Sequence, residues 1–141
     1  MALTARSISR PLVSALVIDT SSWIAYFREG SGDAIIEPSL EEGTVYLPLV
    51  VAAELLSGRM AERARGDLEE FLLTLPLCPA DVAHWFRVGR LRNSLAAKGL
   101  AVSTPDVHVA QCALDLGADL LSAEAVFRLV ARHTKLSLCR S

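Results

Sequence analysis

Four acidic side chains interrupt or close apolar segments of this sequence, and they are Asp19, Glu54, Asp106 and Glu124. Asp19 follows the apolar run 15–18, and Glu54 lies within the apolar segment 49–56. A buried carboxylate is costly unless a cation or hydrogen-bond donors compensate it. If the fold brings the four together, a divalent metal is the natural compensation, because hard oxygen ligands suit Mg²⁺ or Mn²⁺. The pattern therefore predicts a metal-dependent site.

Each of these acids also has a purely structural explanation. Asp19 could cap the helix that follows it, and Asp106 could stabilise the first turn of its own helix through the helix dipole. Glu54 could be a partly exposed side chain paired with an arginine such as Arg59. Glu124 stands at the start of a predicted helix, where an acid is common. The functional hypothesis therefore depends on the four being brought together.

Strand-like and helix-like segments alternate along the chain, which predicts an α/β fold with a mainly parallel sheet. The predicted strands cover 16–19, 45–47, 119–122 and 136–139. The predicted helices cover 21–27, 33–42, the segment around Glu54 up to 58, 68–75, 81–98, 104–117 and 124–132. Asp33 is expected to cap the second helix. In Thr104-Pro105-Asp106 we expect the hydroxyl to cap the helix that these residues open.

The predicted elements place the acids at one edge of the sheet. Asp19 closes the first strand, and Glu124 follows the third. In open parallel sheets, ligands bind beyond the carboxyl ends of the strands. Glu54 and Asp106 lie on helix stripes of apolar or small residues, which should face the sheet. The arrangement predicts that strand ends and helices share one site.

Length and composition limit the organisation of the chain. Its 141 residues fit one domain, and we expect a flexible lead-in over 1–14 and a single domain over 15–141. The longest uncharged apolar stretch, 43–53, is shorter than the roughly 18 residues that a spanning helix needs. We therefore expect no membrane segment. The hydrophobic content of 52% and mean hydropathy of +0.37 predict a covering partner or second copy.

The cysteines and arginines give weaker indications. Cys78, Cys112 and Cys139 show no C-x-x-C pairing, which favours buried free thiols in a reducing cytoplasm. The formal net charge of −2 gives no overall reason to expect a polyanion partner. Arginines cluster at 59–65 and 87–92, however, and the guanidinium fork suits phosphate. These clusters permit a nucleic-acid substrate, but solvated helix faces would explain them equally.

Three segments in this order and spacing resemble one known family. They are LVIDTS at 16–21, VAAELLSG at 51–58 and TPD at 104–106. Together they resemble the PIN-domain ribonucleases, specifically the VapC-type toxins of toxin–antitoxin pairs. The resemblance implies a PIN-like α/β/α sandwich and Mg²⁺- or Mn²⁺-dependent cleavage of RNA. It also implies that Asp19, Glu54 and Asp106 bind the metal, and that a cognate antitoxin and a homodimer exist.

The resemblance extends to a fourth acid with one departure. Such proteins carry a T-x-D-x-x-F-like pattern after the next strand, and here residues 122–127 read SAEAVF. Glu124 thus stands where aspartate is usual, as the fourth catalytic and metal-binding candidate. Ser21 and Ser122 could orient carboxylates or the waters of the metal through hydrogen bonds, or could simply cap helices.

Other functions fit the sequence less well. An aspartyl phosphatase usually carries D-x-D after its first strand, but Ser21 occupies the second acidic position. His108 and Cys112 share a helix face, yet no further motif completes a zinc site, and His84 and His133 are expected to be structural or surface residues. The main alternative to a nuclease is a PIN-like scaffold with a degraded metal site, an alternative that rests on the replacement by glutamate.

Overall fold

The computed structural model describes residues 14–139, which contain four strands and seven helices. The strands are β1 (Leu16–Ile18), β2 (Val45–Tyr46), β3 (Asp119–Leu121) and β4 (Ser137–Leu138). The helices are α1 (Thr20–Glu29), α2 (Asp33–Glu42), α3 (Leu49–Leu56), α4 (Glu62–Leu73), α5 (Val82–Ala97), α6 (Thr104–Leu116) and α7 (Ala125–His133). The predicted lead-in lies outside the described residues, apart from Ser14.

The four strands form one parallel sheet in the order β2-β1-β3-β4. Leu16 of β1 aligns with Val45 on one side and with Asp119 on the other. Parallel strands need crossover connections, and helices supply them here. Val17 and Ile18 are fully buried because β1 is an inner strand covered by helices. The α/β fold with a parallel sheet that the sequence predicts is therefore confirmed.

The edge strand β2 is shorter than predicted because Leu47, at its end, makes another contact. Leu47 leaves β2 and forms a parallel bridge with Leu77. Its amide donates to the carbonyl of Pro76 at 2.9 Å, and its carbonyl accepts from the amide of Cys78 at 3.0 Å. Pro48 follows and has no amide hydrogen to continue the ladder. The chain therefore turns into α3, the helix that carries Glu54.

The structure corrects both predicted helix caps. Asp33 does not cap α2 but is its first residue, after Gly32 at φ 79°. Glycine suits the position because it adopts this left-handed conformation without strain. At α6 the cap is Ser103 rather than Thr104, because the Ser103 hydroxyl accepts from the amide of Asp106. In each case the helix cap precedes the predicted residue.

An aromatic cluster fixes α1 against α4. Trp23 is fully buried, stacks on Phe27 at 5.4 Å and meets Phe71 edge-on at 5.7 Å between ring centroids. Such pairs add about 0.5–1.5 kcal/mol each beyond simple burial. The cluster anchors the helix whose first turn carries the hydroxyls of the site. No helix between residues 14 and 139 is long and apolar enough to cross a membrane.

The corrected cap of α6 leads to a stability prediction. Ser103→Ala should lower the free energy of unfolding by about 1 kcal/mol, because the amide of Asp106 loses its acceptor. Thr104→Ala should change the same quantity by less than about 0.5 kcal/mol, because Thr104 makes no capping hydrogen bond. Urea unfolding of both variants measures the difference. A larger loss for Thr104→Ala would place the cap where the sequence alone predicts it.

Candidate active site

Asp19 lies directly after β1, with only 4% of its surface exposed. One carboxylate oxygen, Oδ1, accepts the amide hydrogen of Ser22 at 2.9 Å and so caps α1. The other, Oδ2, accepts a short hydrogen bond from the Ser122 hydroxyl. These donors offset the cost of burying the charge and fix the orientation of the carboxylate. The capping role considered for Asp19 is thus real, and the same side chain still faces the predicted site.

Two serines connect Asp19 to Glu124. The Ser21 hydroxyl lies 3.3 and 3.4 Å from the two carboxylate oxygens of Asp19 and 3.2 Å from Oε1 of Glu124. A hydroxyl carries a single proton, so it donates to one of these oxygens at a time. Ser122 also accepts from the amide of Glu124 at 3.0 Å. Glu124 itself is exposed, precedes α7 and makes no side-chain cap.

Glu54 reaches the same edge from α3. The Thr20 hydroxyl, in the first turn of α1, donates to Oε1 of Glu54 at 2.6 Å. Glu54 is exposed, so its side chain leaves the apolar stripe that the sequence indicates and turns toward the strand ends. None of the ion pairs between residues 14 and 139 involves any of the four candidate carboxylates. Glu54 therefore makes no ion pair with Arg59 in this structure.

Asp106 interacts with the other acids through its charge. Burial raises the pKa of this carboxyl, and the negative charges of Glu54 and Asp19 raise it further, whereas a hydrogen bond with Ser103 acts in the opposite direction. The net pKa lies above the ordinary value. In agreement with this repulsion, α6 packs against both β1 and α3, the elements that position Asp19 and Glu54. All four predicted carboxylates therefore belong to one neighbourhood.

The donor set at this edge fits a hard divalent cation. It consists of carboxylate and hydroxyl oxygens, which suit Mg²⁺ or Mn²⁺, and no described cation compensates the acids. The Ser21 hydroxyl lies between Asp19 and Glu124, whereas Asp106 interacts with Glu54 and Asp19 through charge repulsion. Asp19 is the best fixed of the four, because both its oxygens hold donors.

The sequence prediction did not anticipate the contact of Thr20 or the group around His84. Thr20 was visible inside the LVIDTS segment, but its role depends on Glu54, which lies 34 residues away. His84 was expected to be structural or at the surface, and it proves fully buried beside His108 and Cys112. Thr20 could have been identified as a hydroxyl residue that directly follows Asp19, the acid at the end of a predicted strand. No local signal identifies His84, because its partners lie on another helix.

Half of the clustered arginines have structural contacts. Arg65 donates to main-chain carbonyls of the loop 56–60, and Arg87 binds Asp115 through two nitrogens at 2.9 and 3.0 Å. Arg92 donates to a main-chain carbonyl at 2.9 Å. The other three, which are exposed, are Arg59, Arg63 and Arg90. Only this second group is a candidate for phosphate contacts.

The repulsion at Asp106 yields a pH prediction for the metal-free protein. In chelator, NMR titration should give Asp106 a pKa above its usual value, and Glu54→Gln should lower it by removing one charge. Glu41→Gln, an exposed change on α2, should leave it unaltered. Because the pKa is raised on folding, stability should fall as pH rises from the unfolded pKa through the folded one. An Asp106 pKa insensitive to Glu54→Gln would contradict this arrangement.

Comparison with known proteins agrees with this architecture. Residues 16–133 match the family model described as PIN domain. The chain is 32% identical over 127 residues to VapC ribonuclease Mb1587 of Mycobacterium bovis and, equally, to ribonuclease VapC11 of Mycobacterium tuberculosis, covering 86% of this chain and 95% of each relative. It superposes with a TM-score of 0.73 and 20% identity on a chain from the crystal structure of VapBC2 from Rickettsia felis bound to a DNA fragment from their promoter, covering 89% and 97% of the two chains. The chain therefore belongs to the PIN-domain family.

Proposed function

We propose that this protein is a metal-dependent endoribonuclease that acts as the toxin of a toxin–antitoxin pair. The observation that carries the proposal is the group of hydroxyl-linked carboxylates at the carboxyl ends of β1 and β3. The ribonuclease names of the relatives that share nearly the whole fold support the choice of RNA as substrate. A toxin of this kind acts on RNA in the cytoplasm, in keeping with the thiols of the described chain, which form no disulfide.

In this proposal Asp19, Glu54 and Asp106 hold Mg²⁺ or Mn²⁺. Such an ion polarises a phosphoryl oxygen and favours ionisation of an attacking water. The chain contributes orientation: Ser122 and the amide of Ser22 fix Asp19. Thr20 directs Glu54 toward the same point. The pKa of Asp106 is raised first by burial and then by the charges of Glu54 and Asp19, and a bound cation would oppose both effects.

Glu124 has a secondary role in this proposal. Its carboxylate is exposed and held by a single hydroxyl, Ser21, which is shared with Asp19. Glutamate is one methylene longer than aspartate, so its carboxylate is less firmly positioned. Mg²⁺ retains several waters, and an acid that acts through hydrogen bonds can therefore still contribute. The hydroxyl link between Glu124 and Asp19 supports a working site over a degraded scaffold.

Exposed arginines near α3 suit the RNA backbone. Arg59 follows the helix that carries Glu54, and Arg63 lies in the first turn of α4. Neither makes an ion pair among the described residues. Guanidinium groups bind phosphate in a bidentate manner, so Arg59 and Arg63 can position an RNA strand beside the carboxylates. The overall negative charge is therefore no obstacle to a local RNA contact.

Apolar surface supports two protein partners. Leu49, Leu73 and Leu77 are 45%, 84% and 56% exposed and border a groove of about 360 Å³ beside α3. We assign this groove to the antitoxin, because a segment bound there would lie next to the helix of Glu54. Val82 and Phe86, 67% and 61% exposed at the start of α5, form a second patch that we assign to homodimer contact.

The nuclease proposal predicts a graded effect of the carboxylates. Asp19→Asn and Asp106→Asn should abolish RNA cleavage while the fold survives, because each removes a charged ligand of the metal. Glu124→Gln should reduce the rate less than Asp19→Asn does, and Glu124→Asp should remain active. Initial rates on one RNA across a Mn²⁺ titration measure all four, with Glu41→Gln as the exposed acidic control.

Three outcomes would count against parts of the nuclease proposal. Cleavage at the wild-type rate by Asp19→Asn or Asp106→Asn would disprove the site. An inert wild type that gains activity through Glu124→Asp would favour the degraded scaffold. Mg²⁺ should also raise the melting temperature of the wild type more than that of Asp19→Asn. Equal increases would argue against metal binding at these acids.

The two partner assignments predict that antitoxin binding and dimerisation can be abolished by different substitutions. Leu73→Asp should prevent binding of the antitoxin while RNA cleavage persists, because the side chain lies in the groove and not among the acids. Ala64→Asp places the same charge on α4 without removing a large apolar side chain, and antitoxin binding should survive it.

Phe86→Glu should convert a dimer to a monomer in sedimentation at micromolar concentration. A monomeric wild type would refute the dimer assignment. Unchanged antitoxin binding by Leu73→Asp would refute the groove assignment.

A further inference from the structure

A group of softer ligands lies between α5 and α6, separate from the carboxylate cluster. We propose that His84, His108 and Cys112 form a buried structural site for Zn²⁺ or a similar borderline divalent ion. His84 comes from α5, and the other two come from α6 at a spacing of one helical turn. None of them belongs to the proposed nuclease site. The inference therefore stands or falls independently of RNA cleavage.

The ligand atoms are already close to coordinating distances. One atom from each of the three side chains lies within 4.8 Å of the other two. Nε2 of His84 is 2.8 Å from Nδ1 of His108, and Sγ of Cys112 is 3.8 and 3.9 Å from the two nitrogens of His108. Tetrahedral zinc, with Zn–N near 2.0–2.1 Å and Zn–S near 2.3 Å, requires separations of about 3.3 and 3.6 Å. The separation of the two nitrogens differs from its required value by about 0.5 Å, and that of Cys112 Sγ from Nδ1 of His108 by about 0.3 Å. The Cys112 side chain would also have to turn away from Nε2 of His108 to share the ion.

An outer carboxylate sets the tautomer of His84. Oδ2 of Asp115 lies 2.8 Å from Nδ1 of His84. Arg87 donates to both oxygens of this carboxylate at 2.9 and 3.0 Å, and Gln111 donates to Oδ1 at 2.8 Å, so the carboxylate is held as an ionised acceptor. An ionised carboxylate only accepts hydrogen bonds, so Nδ1 carries the proton and Nε2 keeps its lone pair. A carboxylate that holds a histidine in this way is the usual support of a metal-binding imidazole.

The metal-free arrangement is internally consistent. With its lone pair on Nε2, His84 must accept the hydrogen bond, so Nδ1 of His108 carries a proton. For the metal to bind at this nitrogen, His108 moves its proton to Nε2, and Cys112 releases its thiol proton to solvent. One proton, that of the Cys112 thiol, leaves for each ion bound by these three ligands. The hydrogen-bonded network is thus a competent precursor of the site.

A fourth ligand is available from the chain. Cys78 is 2% exposed, and a hydrogen bond with its thiol is the largest of the effects that raise the pKa of Cys112. Cys78 lies outside the group whose ligand atoms are within 4.8 Å of one another, so it would take the fourth position only after its side chain moved toward the ion. Two sulfurs and two imidazole nitrogens form a standard closed zinc set.

Burial makes this a structural rather than catalytic site. His84, His108 and Cys112 are all fully buried, and the indole of Trp85 stacks on His108 at 4.5 Å with an angle of 9° between the rings. The ion would join α5 to α6, the helix that also carries Asp106. Its expected effect is on stability.

Cobalt substitution tests the site directly. The purified full-length protein is stripped with chelator and titrated with Co²⁺, and one equivalent per chain should produce tetrahedral visible bands and a near-ultraviolet thiolate-to-cobalt band. The four candidate carboxylate side chains contain no sulfur, so that band reports only on a cysteine-containing site. Zn²⁺ should bleach the spectrum and raise the melting temperature.

Variants assign the ligands and separate the two sites. Cys112→Ser and His84→Gln should remove the tetrahedral spectrum, and Asp115→Asn should weaken binding by roughly 10–100-fold. Cys78→Ser should halve the thiolate band. Asp19→Asn should retain the full spectrum while it loses RNA cleavage, so failure of either proposal can be recognised separately.

Matched controls are His133→Gln, an exposed histidine, and Cys139→Ser, a thiol outside the group; both should retain the wild-type spectrum. Absence of the near-ultraviolet band in the wild type, with a melting temperature insensitive to Zn²⁺, would overturn the proposal and leave only a hydrogen-bonded network. This test uses only the wild-type protein, so it does not depend on whether any variant folds. A band that survives Cys112→Ser and disappears in Cys139→Ser would equally refute this ligand set.

Discussion

The burial of the Asp19 carboxylate at the end of an inner strand constrains the whole site. A charge that is 4% exposed survives there only because a helix amide and two serine hydroxyls surround it. Those donors come from the first turn of α1 and from the segment after β3. The parallel pairing of β1 with β3 is therefore what brings the donors to the acid. If that register shifted by one residue, the strand's side chains would change faces and Asp19 would lose its compensation.

At Asp19, the helix cap is compatible with the proposed metal-binding role. Oδ1 of Asp19 satisfies a free amide of α1, while Oδ2 faces Ser122. A carboxylate held on both sides has few rotamers left, which is what a metal ligand requires. Asp106 shows the same combination, since it lies in the first turn of α6, where the helix dipole favours a negative charge. Helix starts are thus used twice to place acids at the strand ends.

The sequence predicts the elements well because hydrophobic periodicity is local, and all four strands and all seven helices lie at or near their expected places. Helix starts were less accurate, since a cap depends on backbone conformation: Gly32 and Ser103 act where Asp33 and Thr104 were expected. The acids were identifiable because charge in apolar surroundings is conspicuous. The link from Thr20 to Glu54 was not, because it spans 34 residues and depends on how α1 meets α3.

The two ligand groups differ in ways that would keep their ions apart. Hard oxygens at an open edge bind Mg²⁺ or Mn²⁺ weakly and allow exchange, whereas buried sulfur and imidazole retain a borderline ion such as Zn²⁺. By affinity alone Zn²⁺ would occupy both sites, because it binds a given set of ligands more tightly than Mn²⁺ does. Burial resolves the conflict, because an ion enclosed between α5 and α6 exchanges slowly. Within α6, His108 lies two residues and Cys112 six residues after Asp106, so one helix would support both an exchangeable ion and a permanent one.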